Sequence, residues 1–247
     1  MLQIKLLGKA QVCLFGGPGI ALSPQSIGLL ACLGLSRGRD CSRERLVQQL
    51  WPDHDVVRGH SALASALCRL RQALPPVYQP LLVASGAHTL RLCIEGALRL
   101  DVENFLSHVE PALRVTGQSL APETCSKLEH GVACYGGELL AGWRNQWVLV
   151  ERERLRSLFL RAQGRLLEHH TAAGDLEAAI DDGHAMLAEE PLHENVYRLL
   201  MGLYVRVGRR AAAARLYDQL LAALQAELGV PPTEETRQLR RQLLGSG

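Results

Sequence analysis

No stretch of this 247-residue sequence approaches twenty consecutive apolar residues. The longest apolar run, over residues 28–35, is too short to cross a bilayer as a helix, which excludes a helical membrane protein. The N-terminus lacks the basic start, apolar run and small-residue cleavage site of a secretory signal, so the cytoplasm is the expected compartment. The cysteines Cys13, Cys32, Cys41, Cys68, Cys93, Cys125 and Cys134 sit singly, odd in number and without a C-x-x-C spacing. That pattern disfavours a disulfide framework and a thiolate zinc site, and reduced, mostly buried thiols are expected. Aromatic residues are few, and lysine is confined to Lys5, Lys9 and Lys127, so the basic character rests on arginine.

Catalytic signatures are missing as well. Gly16-Gly17-Pro18-Gly19 is followed by no Lys-Ser or Lys-Thr pair and opens no helix directly, so it is a turn and not a phosphate cradle. There is no H-E-x-x-H spacing, and the adjacent His169 and His170 point about 100° apart on a helix, where they do not easily share one ion. With His184 and His193 they read as solvated or helix-end histidines. Asp181-Asp182 and Glu189-Glu190 read as solvated helix faces, and no G-x-S-x-G elbow places a nucleophile. The expectation is a non-enzyme without metal or cofactor.

Charge, by contrast, is present and uneven. Residues 1–95 hold ten basic and five acidic side chains, whereas the remainder holds seventeen basic and twenty acidic. The first third is the part that would seek a polyanion. Within it, Leu63, Leu67, Leu70 and Leu74 recur at steps of four, three and four, forming one apolar stripe of a helix over 58–74. The opposite face carries Ser61, Ala64, Ser65, Cys68, Arg69, Arg71 and Gln72, short near its start and basic near its end. Such a face suits the major groove of DNA.

The flanking text gives that helix a context. Two strands over 4–7 and 11–14 are joined by a Gly8-Lys9 turn. Ser23-Pro24 starts a helix whose buried side is Ile27, Leu30, Ala31 and Leu35, and Ser42 caps a second helix that ends at Trp51-Pro52. After Pro75-Pro76, strands over 81–83 and 90–94 enclose a turn over 84–88. Three helices and a terminal hairpin make a winged helix, with the third helix in the major groove and His88 and Arg91 as the wing's polar contacts. Arg43, Arg45, Arg58 and His60 complete the expected DNA-binding set.

Beyond residue 96 strand signals vanish and helices are expected over 102–115, 123–135, 146–171, 176–189, 194–207, 210–228 and 234–244. Gly174 and Gly208, Ala178 and Ala212, and Ala179 and Ala213 are each thirty-four residues apart, the tetratricopeptide (TPR) period. Two repeats are expected, with a divergent helical pair before them and a capping helix after. The expected fold is thus an α+β N-terminal winged helix-turn-helix over 1–95, followed by an all-α TPR-like domain over 96–247. Arg154, Arg161 and Arg165 share one helix face by spacing and form a candidate effector or partner face.

The two halves together resemble the Streptomyces antibiotic regulatory protein (SARP) family, an OmpR-type winged helix joined to a bacterial transcriptional activator domain. The resemblance is carried in order by Ser42-Arg43-Glu44-Arg45-Leu46 with Leu50-Trp51-Pro52-Asp53, Leu67-Cys68-Arg69-Leu70-Arg71-Gln72-Ala73-Leu74, Leu90-Arg91-Leu92, Leu100-Asp101 with Phe105, and Tyr135-Gly136-Gly137-Glu138-Leu139-Leu140. It continues through Trp147 with Glu151-Arg152, Glu190-Pro191-Leu192, Gly208-Arg209 with Tyr217, and Glu227-Leu228-Gly229-Val230-Pro231-Pro232. It implies an activator that binds double-stranded DNA at short promoter repeats and contacts RNA polymerase. One helix reading one half-site gives modest affinity, so binding as a homodimer or in tandem is expected, with association with the nucleoid when bound. No receiver domain precedes the winged helix, so control by aspartyl phosphorylation is not implied, and no P-loop ATPase follows it as in the large family members. The wing departs from the family, with Thr89-Leu90 where Gly-Tyr is usual.

Overall fold

In the computed structural model, residues 1–84, 86–93, 98–115 and 120–245 are described. The expected strand residue Ile94, the turn residue Ser85 and the division at 95/96 lie outside them. The chain forms two compact units, one of residues 1–108 with 133–155, the other of residues 109–132 with 156–247.

The first unit opens with β1 (Leu2–Lys5) and β2 (Gln11–Leu14), antiparallel with Ile4 opposite Val12. Strand signals do not end at residue 96. β6 (Leu98–Leu100) pairs parallel with β1, Leu2 opposite Leu98, completing a sheet of order β2-β1-β6. Leu98 and Leu100 alternate inward around exposed Arg99, too short a pattern to stand out from helical text. Immediately after it Asp101 opens α4 (Asp101–Arg114). Its Oδ2 accepts the Leu6 and Leu7 amides at 2.8 Å each, and its Oδ1 accepts the Val102 amide at 2.7 Å.

Between the strands lie three helices. Ser23 caps α1 (Pro24–Leu35), its Oγ accepting the Ser26 amide at 3.2 Å, with Pro24 at the first helical position. Burial runs unbroken from Gly28 to Gly34, so Leu29, Leu30 and Leu33 carry the core contact while Ile27 and Leu35 are only half-buried. Ser42 caps α2 (Arg43–Leu50) in the same way through the Arg45 amide. Asp55 accepts the Arg58 amide at 2.8 Å and starts α3 (Val56–Ala73) two residues before the leucine pattern suggests. Leu63, Leu67, Leu70 and Leu74 are all buried, as their spacing requires. A short 3-10 turn over Pro76–Leu81 leads into β4 (Leu82–Val83) and β5 (Thr89–Leu92), and β5 also pairs with the unforeseen β3 (Cys41–Ser42).

The second unit contains α5 (Pro122–Ala133) almost entirely, the later part of α6 (Gln146–Ala173), α7 (Leu176–Glu189), α8 (Glu194–Arg206), α9 (Arg210–Glu227) and α10 (Glu234–Leu244). The thirty-four-residue period has a structural basis. Gly174 and Gly208 both adopt positive φ, 83° and 77°, at the turns after α6 and α8, where an L side chain would be strained. Ala179 and Ala213 are fully buried near the starts of α7 and α9. His170 is a helix-end histidine, in the last turn of α6, but it is not solvated, and the expectation of a solvated Asp182 is corrected: His170 Nδ1 lies 2.7 Å from Asp182 Oδ2, with side chains only 14% and 13% exposed.

The capping helix α10 is tied to the start of α8. Glu194 accepts the Thr233 amide, the Thr233 hydroxyl at 2.8 Å and the hydroxyl of buried Thr236 at 2.6 Å. Burial opposes its charge, but these hydrogen bonds and the Arg198 cation hold its carboxyl below the ordinary value. Glu194→Ala is expected to cost about 2 kcal/mol, since the buried Thr236 hydroxyl loses its acceptor. Amide exchange should rise mainly in α10; unchanged exchange there would show that apolar packing alone holds the helix.

Candidate nucleic-acid interface

Helix α3 buries Gly59, Leu63, Ala66, Leu67 and Leu70 and leaves a continuous outer face. Down the middle of that face run Val57, Ser61, Ala64, Ser65, Cys68 and Gln72, all exposed. Exposed Arg58 and Arg69 flank one side and exposed Arg71 the other. The helix can present this face because α2 holds it from behind at very short range: a Cβ built on Gly59 would lie 2.2 Å from Val47 Cγ1. Glycine is required there by space, not by φ.

The basic groups are held differently. Arg69 is exposed on the helix surface, whereas Arg71 Nη2 donates to the Leu82 carbonyl at 3.3 Å, fastening α3 to the first wing strand. Arg58 is paired with Asp55 at 3.5 Å, but both side chains are mostly exposed and the pair is weak. Arg43, half-buried at the start of α2, donates its amide to the His88 carbonyl at 2.8 Å, joining that helix to the wing turn. Its Nε is buried and carries no hydrogen bond. Arg43, Ala64, Leu67, Cys68, Arg71, Gln72 and Gln79 together line an open hollow of about 330 Å³.

Arg45 and Arg91 are exposed on α2 and β5, and His88 is exposed at the wing turn. The unusual wing residues are structural: Leu90 is buried opposite Cys41, and Thr89 pairs with Ser42. His60 stands apart from the outer face, half-buried in a smaller hollow with Trp51, Pro52 and His54. Two residues join the surface that sequence reasoning missed. Val57 is 76% exposed, and an Asp55 cap three residues before Arg58 was the signal that helix began early enough to include it. Gln79 comes from the 3-10 turn and had no local signal.

The second candidate face is distributed between the units. Arg154 lies in the first and is paired with Glu151 at 2.8 Å; Arg161 and Arg165 lie in the second, exposed and half-buried respectively. The second unit also holds a largely apolar groove of about 800 Å³, lined among others by Leu167, Thr171, Leu199, Leu203, Arg206 and Leu243. No helix among the described residues is long and apolar enough to cross a membrane.

Three helices, the last with a free polar and basic face, followed by a hairpin, define a winged helix-turn-helix protein, here carrying a second unit of TPR-like helix pairs. Residues 100–244 match the family described as bacterial transcriptional activator domain, and residues 17–85 match the C-terminal domain of transcriptional regulatory proteins. The chain belongs to the SARP family, in which these two domains are joined.

Individual relatives agree. Regulatory protein AfsR of Streptomyces coelicolor is 30% identical over 222 residues, covering 90% of this chain but 22% of its own length. Transcriptional regulatory protein MoaR1 of Mycobacterium tuberculosis is 26% identical over 246 residues, covering 98% of this chain and 79% of its own. Among solved structures, Mycobacterium tuberculosis EmbR in complex with a low affinity phosphopeptide superposes with a TM-score of 0.71 at 22% identity, over 98% of this chain and 65% of that one. That likeness is one of fold. The chain thus spans about a fifth of AfsR and about two thirds of the EmbR chain.

Proposed function

We propose that this chain is a sequence-specific, double-stranded DNA-binding transcription regulator of the activating kind. The observation that carries the reading is the outer face of α3, where small and polar side chains form a strip between arginines. In the major groove Ser61, Ser65 and Gln72 reach base edges, Val57 and Ala64 meet thymine methyl groups, and Arg69 contacts phosphate or guanine. Arg43, Arg45, Arg58, Arg71 and the wing's His88 and Arg91 hold the backbone. His60 is a rim contact at most.

In this reading residues 1–95 bind DNA, and residues 96–247 contact RNA polymerase or a second subunit. One recognition helix reads one half-site, so dimeric or tandem binding supplies the remaining affinity. The protein acts in the cytoplasm, on the nucleoid. A ligand-sensing variant of the same function is favoured by the apolar groove of the second unit, with Arg206 as its cation; the Arg161 and Arg165 face is a second place for an anionic effector or partner.

The test is retention of promoter fragments in a gel shift at several salt concentrations. The wild-type chain is expected to retain at least one fragment from its own upstream region at moderate salt. Arg69→Ala should weaken binding about tenfold and, where that arginine meets phosphate, make the slope of log affinity against log salt shallower by about one. A steeper loss confined to one base position would place Arg69 on guanine. No retention of any fragment by the wild type would refute the proposal in favour of a protein-binding scaffold.

A further inference from the structure

Three helices of the second unit bring together side chains that nothing in the sequence pairs. Cys125 and Glu129 stand one turn apart on α5, on the same face. His170 reaches them from α6, and Asp182 on α7 stands behind it. One ligand atom from each of Cys125, Glu129 and His170 lies within 4.8 Å of the others.

Two of the three separations have the dimensions of a coordination shell, and the third, between the Cys125 sulfur and the His170 ring, is within 4.8 Å. Cys125 Sγ lies 3.6 Å from Glu129 Oε1, and His170 Nε2 lies 3.5 Å from the same oxygen. A tetrahedral zinc ion with sulfur at about 2.3 Å and nitrogen or oxygen at about 2.1 Å separates its ligands by roughly 3.4–3.6 Å. The imidazole is also set for the task. Asp182 Oδ2, 2.7 Å from Nδ1, accepts the proton there and leaves the Nε2 lone pair directed toward Glu129. A carboxylate behind a histidine in this way is the common support of a metal-bound imidazole.

We propose that Cys125, Glu129 and His170 bind one zinc-class divalent cation, with Asp182 orienting His170 and a solvent molecule in the fourth position. The site is accessible on the Glu129 side, whose side chain is 50% exposed, while Cys125 is buried and His170 is 14% exposed. On binding, the Cys125 thiol gives its proton to solvent and the thiolate bonds the metal, so the affinity rises with pH. The ion fastens α5 to α6 and stabilises the second unit. The bond is independent of DNA binding. Without a metal, His170 stays hydrogen-bonded to Asp182 with Glu129 beside it, and the experiment separates the two arrangements.

The full chain, reduced and stripped with a chelator, is titrated with zinc chloride by calorimetry and with cobalt(II) by absorption. One equivalent of zinc is expected, together with a thiolate-to-cobalt band and visible bands of tetrahedral intensity. Cys125→Ser should abolish the thiolate band and weaken zinc at least a hundredfold, and Asp182→Asn should weaken it about 10–100-fold. Cys13→Ser, at a half-buried thiol of β2 in the first unit, should bind zinc as the wild type does. Should Cys125→Ser fail to fold by circular dichroism, Glu129→Gln decides alone, since its half-exposed site tolerates the change; at least a tenfold loss is expected. Absence of an equivalent of bound zinc in the wild type, or undiminished binding in the folded variants, overturns the assignment.

Discussion

Gly59→Val is expected to abolish DNA retention and to destabilise the first unit by about 3 kcal/mol or more. Even the first added carbon would meet Val47 Cγ1 at 2.2 Å, far inside contact distance, on the buried side of the α2–α3 crossing. Overpacking of this kind typically costs about 1–3 kcal/mol for an added methylene, and a branched side chain adds two more atoms. The alternative to paying that cost in place is for α3 to move off α2. Either response displaces the strip from Val57 to Gln72 relative to Arg43 and the wing. Gly59→Ala is the milder version, partly offset by about 1 kcal/mol of helix propensity. Because Val47 makes the clash, Val47→Ala in the Gly59→Ala background should recover part of the loss, giving a non-additive double-mutant cycle. Gel shifts and thermal melts read both effects; wild-type melting of Gly59→Val would mean that the crossing is not tight.

The second large effect is at Asp101. Asp101→Ala leaves the amides of Leu6, Leu7 and Val102 without their shared acceptor at the junction of β1, β6 and α4. At about 1–3 kcal/mol for each buried donor left unsatisfied, and allowing for water reaching some of them, the expected loss is about 3–5 kcal/mol. For a chain of this size that lowers Tm by on the order of 10 °C. Asp101→Asn keeps a side-chain carbonyl acceptor and should lose less. A Tm for Asp101→Ala within about 2 °C of wild type would show that solvent replaces the carboxylate.

The same residue gives a pH signature. Burial raises the Asp101 carboxyl from 3.8 to about 6, against the opposing pull of the Leu7, Leu6 and Val102 amides. A folded-state value above the unfolded one means that the folded chain binds the proton more tightly. The stability linked to this proton is therefore complete below about pH 4 and is lost as pH rises through about 6. Asparagine does not titrate, so the stability gap between wild type and Asp101→Asn, from urea melts, is expected to be wider at about pH 4.5 than at about pH 7.5. A gap that widens with pH instead would mean that the amides outweigh burial and hold the carboxylate charged.

Local signals account for what could be read in advance. Ser23, Ser42 and the leucine stripe of α3 each act within one or two helical turns, where a cap satisfies an amide three residues away and a period of 3.6 selects one face. The repeat was legible because Gly174 and Gly208 occupy equivalent positive-φ turns and Ala179 and Ala213 equivalent close contacts. β6 was not legible: three residues of alternation gain their stability only by pairing with β1 at the other end of the unit.

The candidate interface divides in the same way. Sequence alone determined that α3 has an apolar side and an outer side, that its arginines cluster in the basic third of the chain, and that a hairpin follows. These are properties of composition and spacing along one element. Only the tertiary structure decided which residues share a surface: Arg43 and Gln79 come beside Ala64 and Cys68, His60 turns to the rim, exposed Arg71 also ties α3 to the wing strand, and His170 meets Cys125, Glu129 and Asp182. Such contacts join residues many turns apart along the chain. They form only when burial of the apolar faces brings the elements together, and no short-range periodicity records them.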